Sequence, residues 1–340
     1  MEEFNLENLL KESMNKTCVY IQTHNYPDAD TLCSAQILKN ILGKYNIEAK
    51  IIYYGDIVKP NLVKMVELFN IKADKIDDRI NAELLINVDC QYGEANVYKV
   101  YNDNLIVIDH HIDCNRNTST IRIKNVDNRF KSCTTLIYDK IIKEFVKNKF
   151  ITEQEISYIY SLVYYGLLTD TNNFTESLGK EDNKIKYFLE QTELLMTSKI
   201  NYLINENISI SDLKVIANSF DNLVIIEDIK AIYVEVQSCD PNVLGVISDM
   251  LLSLSDIDIV VAFMNTKVDY KLSIRSDNPQ VKANELVNYF TSLIGSGGGH
   301  FKKAGGVINI KKFSKLNLNI SDYIQIKLHA FVEISLEACD

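Results

Sequence analysis

Four short stretches carry acids and histidines in an arrangement that could do chemistry: THNYPDAD (23–30), NVDC (87–90), IDHH (108–111) and GLLTDTNNF (166–174). The chain has only five histidines. His24, His110 and His111 fall in these stretches, and His300 falls in a glycine-rich run. The first three stretches each follow an apolar run. At one edge of a parallel sheet they would gather Asp28, Asp30, Asp89 and Asp109 with His24, His110 and His111. Carboxylates packed that closely repel, and some would have to take up protons. Divalent cations remove the conflict. A mixed carboxylate and imidazole set suits Mn²⁺ or a similar ion better than calcium's oxygen cages or zinc's thiolates. Taken singly, an aspartate after a strand is more often a turn former or helix N-cap than a ligand.

A second concentration is GSGGGHFKKAGG (295–306), which holds six of the twelve glycines. Consecutive glycines let backbone N–H groups turn inward around an anion, although a flexible loop has the same composition. His300, Lys302 and Lys303 follow closely, and KLSIRS (271–276) adds Arg275. Residues 267–316 carry nine Lys/Arg and three Asp/Glu, a basic patch inside an acidic protein. A patch of that size suits a phosphate-bearing ligand of limited length. His329, in YIQIKLHAF, has no such context and reads as structural.

These residues need elements to hold them. TCVYIQT (17–23), IEAKIIYYG (47–55), AELLINVDC (82–90) and NLIVIDH (104–110) read as strands. Residues 30–45, 58–70, 132–147 and 152–168 have helical spacing, with Pro60 near the start of the second. Strands alternating with helices predict a mostly parallel sheet covered on both faces, with ligands at the carboxyl ends of its strands. After about residue 180 the texture becomes polar and helical. Strands are then expected near 223–227, 230–237, 258–265, 268–275 and 304–310, with helices near 242–254 and 281–293. The expected fold is α/β in two lobes. Residues 1–184 form a doubly wound catalytic domain, 185–220 a helical linker, and 221–340 a smaller α/β substrate-binding domain.

Composition bounds the partners. A length of 340 residues suits two domains, and 46% hydrophobic residues suit a packed chain. A net charge of -10 argues against sequence-independent binding to long duplexes. Seven scattered cysteines without a C-x-x-C pair point to a reduced, cytoplasmic setting. The N-terminus lacks a signal pattern, and no apolar run approaches the ~20 residues of a membrane span.

Together these residues resemble the DHH phosphoesterase family, in the branch with a DHH-associated C-terminal domain. HNYPDAD (24–30) is similar to its first motif, H-x-x-P-D-x-D. NVDC supplies the second-motif aspartate, and DHH (109–111) is the motif that names the family. GLLTDTNNF is similar to its fourth motif, and SGGGHFKKAGG (296–306) to the glycine signature of its C-terminal domain. Cys33, Asn172 and Ser296 stand where glycine is usual, and Lys303 where alanine is. None of them is at a ligand position.

The resemblance implies two divalent metal ions, usually Mn²⁺, with Mg²⁺ or Co²⁺ as alternatives. It assigns His24, Asp28 and Asp89 to the first ion. Asp30, Asp89, His110 and Asp170 go to the second, with Asp89 bridging. Asp109 orients its neighbours and His111 faces the substrate phosphate. Arg275, Gly297, Gly298, Gly299 and His300 grip the far end of the ligand. The implied activity is hydrolysis of short single-stranded RNA or DNA oligonucleotides to mononucleotides, and of 3′-phosphoadenosine 5′-phosphate to AMP. Within the family the alternatives are a cyclic di-AMP or pApA phosphodiesterase, a single-strand DNA exonuclease and a manganese pyrophosphatase. A nucleotide-binding regulator that had lost catalysis would have lost ligands, and every expected ligand is present. The resemblance also implies a homodimer through the first lobe.

Overall fold

Apolar runs become parallel strands in the first half of the chain. A computed structural model describes residues 2–337 other than 58, 149, 206 and 207. It divides the chain into two compact units, Met1–Asn207 and Ile208–Asp340.

The first unit begins with α1 (Leu6–Ser13), β1 (Val19–Gln22), α2 (Ala29–Lys44), β2 (Ala49–Tyr53), α3 (Pro60–Leu68) and β3 (Ala73–Lys75). Strands β4 (Asn81–Val88), β5 (Tyr101–Asp109) and β6 (Ile121–Val126) follow. The sheet order is β3-β2-β1-β4-β5-β6, with every pair parallel. The chain therefore starts at the centre, winds to one edge, returns, and winds to the other. The reversal falls between β1 and β4, where a parallel sheet opens a crevice beyond its strand ends. Leu105–Asp109 of β5 are buried without interruption, as expected of a central parallel strand.

Helices α4 (Cys133–Ile137), α5 (Lys143–Phe145), α6 (Glu153–Asp170), α7 (Lys180–Gln191) and α8 (Thr197–Asn205) complete the unit. A π-helical segment, Tyr138–Ile142, separates α4 from α5 within the stretch expected as one helix. Thr152 and Glu155 close a capping box at the start of α6. Leu32, Leu38, Leu136, Leu162 and Val163 pack with Ile21, Ile86, Ile106 and Ile108 in one core. The opposite face differs from the expectation of helices on both sides. The connections 89–100 and 110–120 contain no helix. Leu85, Leu105 and Val107 are covered there by Ile76, Val100, Tyr92 and Tyr98.

The second unit contains α9 (Ile210–Phe220), β7 (Leu223–Ile226), β8 (Ala231–Val236), α10 (Pro241–Leu252), β9 (Ile259–Asn265) and β10 (Asp269–Ser276). Next come α11 (Ala283–Thr291), β11 (Gly295–Gly299), β12 (Lys303–Asn309), α12 (Ile310–Phe313) and α13 (Ile320–Glu337). Its sheet runs β11-β12-β10-β9-β8-β7, parallel only between β8 and β9. His329 lies on α13, 3.7 Å from Asp228.

Within 185–220 the described helices are the end of α7, α8 and α9, and they are shared between the two units. Ile185, Leu189, Ile200 and Leu203 are buried in the first core, and Ile216 in the second. Apolar side chains at helical spacing have cores to join, so they pack instead of spanning solvent. Among the described residues no helix is long and apolar enough to cross a membrane.

Candidate metal centre

The strand ends hold the site. β1 runs into His24, β4 into Asp89, and β5 ends at Asp109 with His110 and His111 next. Asp28 and Asp30 open α2, and Asp170 closes α6.

Asp28 shows that helix cap and candidate ligand are compatible roles. Its Oδ1 accepts the Thr31 N–H at 3.1 Å, capping α2. Its Oδ2 lies 3.6 Å from His24 Nε2. The His24 Nδ1 faces the Asn25 carbonyl at 3.0 Å. A carbonyl can only accept, so Nδ1 carries a proton and Nε2 is the ring nitrogen that faces Asp28 and Asp89. That Nε2 is also 3.7 Å from Asp89 Oδ2.

Asp89 has φ +57, in the left-handed region that aspartate tolerates better than most residues. Its N–H donates to the Ile108 carbonyl at 2.8 Å, tying the turn to β5. Its Oδ1 lies 3.2 Å from His110 Nε2, which is equally 3.2 Å from Asp170 Oδ2. Asp30 is buried and fixed from the far side. Its Oδ2 accepts from Cys133 N at 2.6 Å and its Oδ1 from Thr134 N at 3.1 Å, both at the start of α4. Gly166 makes room for it, since a Cβ there would lie 2.7 Å from Asp30 Oδ1 and 2.6 Å from Thr134 Oγ1.

Three sets of side chains each bring ligand atoms within 4.8 Å of one another: His24, Asp28 and Asp89; Asp30, His110 and Asp170; and Asp89, His110 and His111. Asp89 and His110 each belong to two sets. Two buried atoms test whether these residues fit cations. Asp89 Oδ1 and His110 Nε2 are close together, yet neither has a hydrogen-bond partner. Buried polar atoms normally find partners. Atoms that converge without bonding to each other fit ligands aimed at a common ion.

The electrostatics agree. Burial pushes Asp89 up to about 6, with Asp28 and Asp170 adding to the rise against the opposing pull of His110. Burial and the charges of Asp89 and Asp170 raise Asp30 well above the carboxylate range. Burial opposes charge on His24, but Asp28 and Asp89 outweigh it and hold it at about 10. His110 is raised in the same way, with Asp170 and Asp89 overcoming burial. The cluster is thus short of positive charge, which divalent cations would supply.

Asp109 and His111 stand one step back. His111 Nδ1 donates to Asp109 Oδ1 at 2.8 Å, and the His111 side chain is 47% exposed. Asp109 overcomes the burial of His111 and raises its pKa. Gln91, which sequence reasoning missed, completes the arrangement. Its Nε2 donates to Asp109 Oδ2 at 2.7 Å and to the Ile112 carbonyl at 2.9 Å, and its Oε1 accepts from Cys114 N at 2.9 Å. Only its place two residues after Asp89 was visible in the sequence.

The second unit holds the other candidates separately. Arg275 Nε donates to Asp249 Oδ1 at 2.6 Å, and its Nη1 donates to Ser273 Oγ at 3.2 Å. Gly245 on α10 leaves space for the guanidinium, 3.2 Å from where a Cβ would stand. Gly297, Gly298 and Gly299 form part of strand β11 rather than an inward-turned loop. Close packing explains most of that run. A Cβ on Gly297 would stand 2.8 Å from Val287, and one on Gly299 2.5 Å from the Lys303 carbonyl, while Gly298 faces open space. β11 is an edge strand, and an edge presents unpaired backbone groups. His300 follows it, exposed, with its N–H on the Lys303 carbonyl at 2.7 Å.

Comparison with known proteins places the chain. Residues 18–167 match the DHH family, N-terminal domain, and residues 228–325 match the DHHA1 domain. The uncharacterized protein MJ1633 of Methanocaldococcus jannaschii is 23% identical over 311 residues, covering 90% of this chain. The chain spans only 61% of that relative. Among solved structures, an exopolyphosphatase-related protein from Bacteroides fragilis superposes with TM-score 0.69 at 16% identity, covering 98% of this chain and 97% of that one. RecJ from Thermus thermophilus in complex with Mn²⁺ gives TM-score 0.51 at 13% identity, covering 95% of this chain and 55% of that one. At these identities the likeness speaks to fold.

Proposed function

The chain belongs to the DHH family, with its N-terminal domain followed by a DHHA1 domain, and from that premise we propose a metal-dependent phosphoesterase that cleaves short oligonucleotides to mononucleotides. We extend the proposal to 3′-phosphoadenosine 5′-phosphate as a second substrate, Mn²⁺ as the working ion, a cytoplasmic setting and a homodimer through the first unit.

One observation carries the reading: the shared, unpartnered Asp89 Oδ1 and His110 Nε2 between two sets of ligand atoms. His24, Asp28 and Asp89 would hold one ion, and Asp30, Asp89, His110 and Asp170 the other. Ions so held neutralise phosphoryl charge and lower the pKa of water. The remaining work falls to the chain itself. Asp109 holds the proton of His111 on Nδ1, which leaves Nε2 as the nitrogen to meet substrate. Asp109 favours the charged form of His111 against its burial, which suits His111 to stabilise a phosphoryl oxygen as negative charge builds there. Gln91 keeps Asp109 from rotating away, which fixes the ring. In the second unit Arg275, His300 and the Gly297–Gly299 edge supply donors for a nucleotide phosphate. For Arg275 that requires giving up Asp249.

The test is a substrate panel with Mn²⁺: 5′-labelled RNA of two to five nucleotides, phosphoadenosine phosphate, pApA, cyclic di-AMP and single-stranded DNA. The expected result is mononucleotide release, fastest from the shortest RNAs. Hydrolysis confined to cyclic di-AMP, or none on any nucleotide, contradicts the proposal.

A further inference from the structure

Tyr26 sits in the loop between two candidate ligands, His24 and Asp28. Two residues span at most about 7 Å of chain, so its Cα lies within that distance of both ligand Cα atoms. Its backbone has φ +54. A left-handed conformation is unusual for a bulky residue. Pro27 follows, and the residue before a proline is pushed towards extended geometry. Conformations of this kind are strained and persist where the surroundings enforce them.

The surroundings here enforce an exposed ring. The Tyr26 N–H donates to the Tyr54 carbonyl at 2.8 Å. Tyr54 in turn stacks on Tyr98, with centroids 4.9 Å apart. The Tyr26 ring lies on Gly55, where a Cβ would come within 2.7 Å of the ring carbons. Gly55 itself has φ +90, so glycine suits that position twice over. Tyr26 nonetheless remains 64% exposed. No buried packing compensates the strain. The loop holds an exposed aromatic surface within two residues of His24 and Asp28.

We infer that Tyr26 is the floor of a nucleobase subsite, stacking the base whose phosphate lies at the strand-end cluster. The inference rests on the nucleotide phosphoesterase reading and names the part of the substrate this surface takes. Every base has a π-face, so such a platform tolerates sequence variation. With its backbone held by Tyr54 and its ring resting on Gly55, Tyr26 presents the surface in the free protein, which lessens the ordering needed when a base arrives.

The experiment measures KM and kcat on a dinucleotide and on the matching abasic diester, for the wild type, Tyr26→Ala, Tyr26→Trp and Tyr26→Asn. Tyr26→Ala should raise KM on the dinucleotide about 5- to 100-fold and shift it far less on the abasic compound. Tyr26→Trp should retain tight binding. Tyr26→Asn relaxes the backbone, so its melting temperature should hold or rise while its KM rises. A wild type idle on dinucleotides but active on pyrophosphate overturns the nucleotide reading, and the subsite with it. A wild type active on dinucleotides, with KM in Tyr26→Ala unchanged or raised equally on both substrates, overturns the subsite alone. A lower melting temperature in Tyr26→Asn with KM unchanged assigns the ring a structural role and also overturns it.

Discussion

The carboxyl edge of the first sheet and the glycine-rich edge of the second both collect polar groups, but they hold them in opposite ways. At the first edge Asp30, Asp89 and His110 are largely enclosed, Asp30 is braced by the backbone at the start of α4, and the facing atoms of Asp89 and His110 have no hydrogen-bond partner. At the second edge the charged groups already have protein partners: Arg275 with Asp249, Lys302 with Asp277 and Lys282 with Glu285. Under the proposed function, cations would offset the burial cost of the carboxylates at the first edge. The second edge has its charges paired within the protein, and under the proposed function it would bind a ligand by exchanging those partners. The first edge should therefore be sensitive to single atoms, and the second should respond in graded fashion.

Substitutions can break that contrast. Asp89→Asn removes the charge shared by two ligand sets while keeping the shape. Turnover should fall on the order of 10³-fold on every substrate, the loss of several kcal/mol of charge stabilisation. Gly166→Ala, outside the ligand set, should come next. The added methyl meets Asp30 and Thr134, costing about 1–3 kcal/mol of stability. Thermal melts should register that cost, and bound metal should decline with it. Gln91→Ala frees Asp109 and should lower kcat roughly 10- to 100-fold, with little change in KM in steady-state assays. Arg275→Ala should have the smallest effect on kcat. It should raise KM for nucleotides roughly tenfold, the value of a charged hydrogen bond less the Asp249 pair it gives up. A loss of kcat in Arg275→Ala as large as that in Asp89→Asn would erase the distinction between the edges.

The two edges also differed in how legible they were. β1, β4 and β5 were visible because buried parallel strands read as apolar runs, and each run ended near an acid or histidine. β6 was missed: IRIKNV alternates and lies at the sheet edge, so only part of it is apolar. β3 is three residues long and gave no pattern. The loops that cover the second face of the first sheet have no periodicity, so helices were expected there. Asp170 entered only through a resemblance, because nothing local says that a helix end meets a strand end. Gln91 and Gly166 act through contacts with residues 18 and 136 positions away. The glycine run was legible as composition, but its reason was steric. Val287, Thr291 and the β12 backbone approach too closely for side chains, which turns an expected loop into an edge strand.

The central claim is that the strand-end cluster holds two cations through a shared Asp89. Metal content of protein equilibrated with Mn²⁺ and then freed of excess ion, measured by mass spectrometry for the wild type and Asp89→Asn, tests it directly. The account expects about two ions per wild-type chain, consistent with a two-metal site, and no more than about one in the variant. A wild type that retains no Mn²⁺, or a variant that retains as much as the wild type, would contradict it.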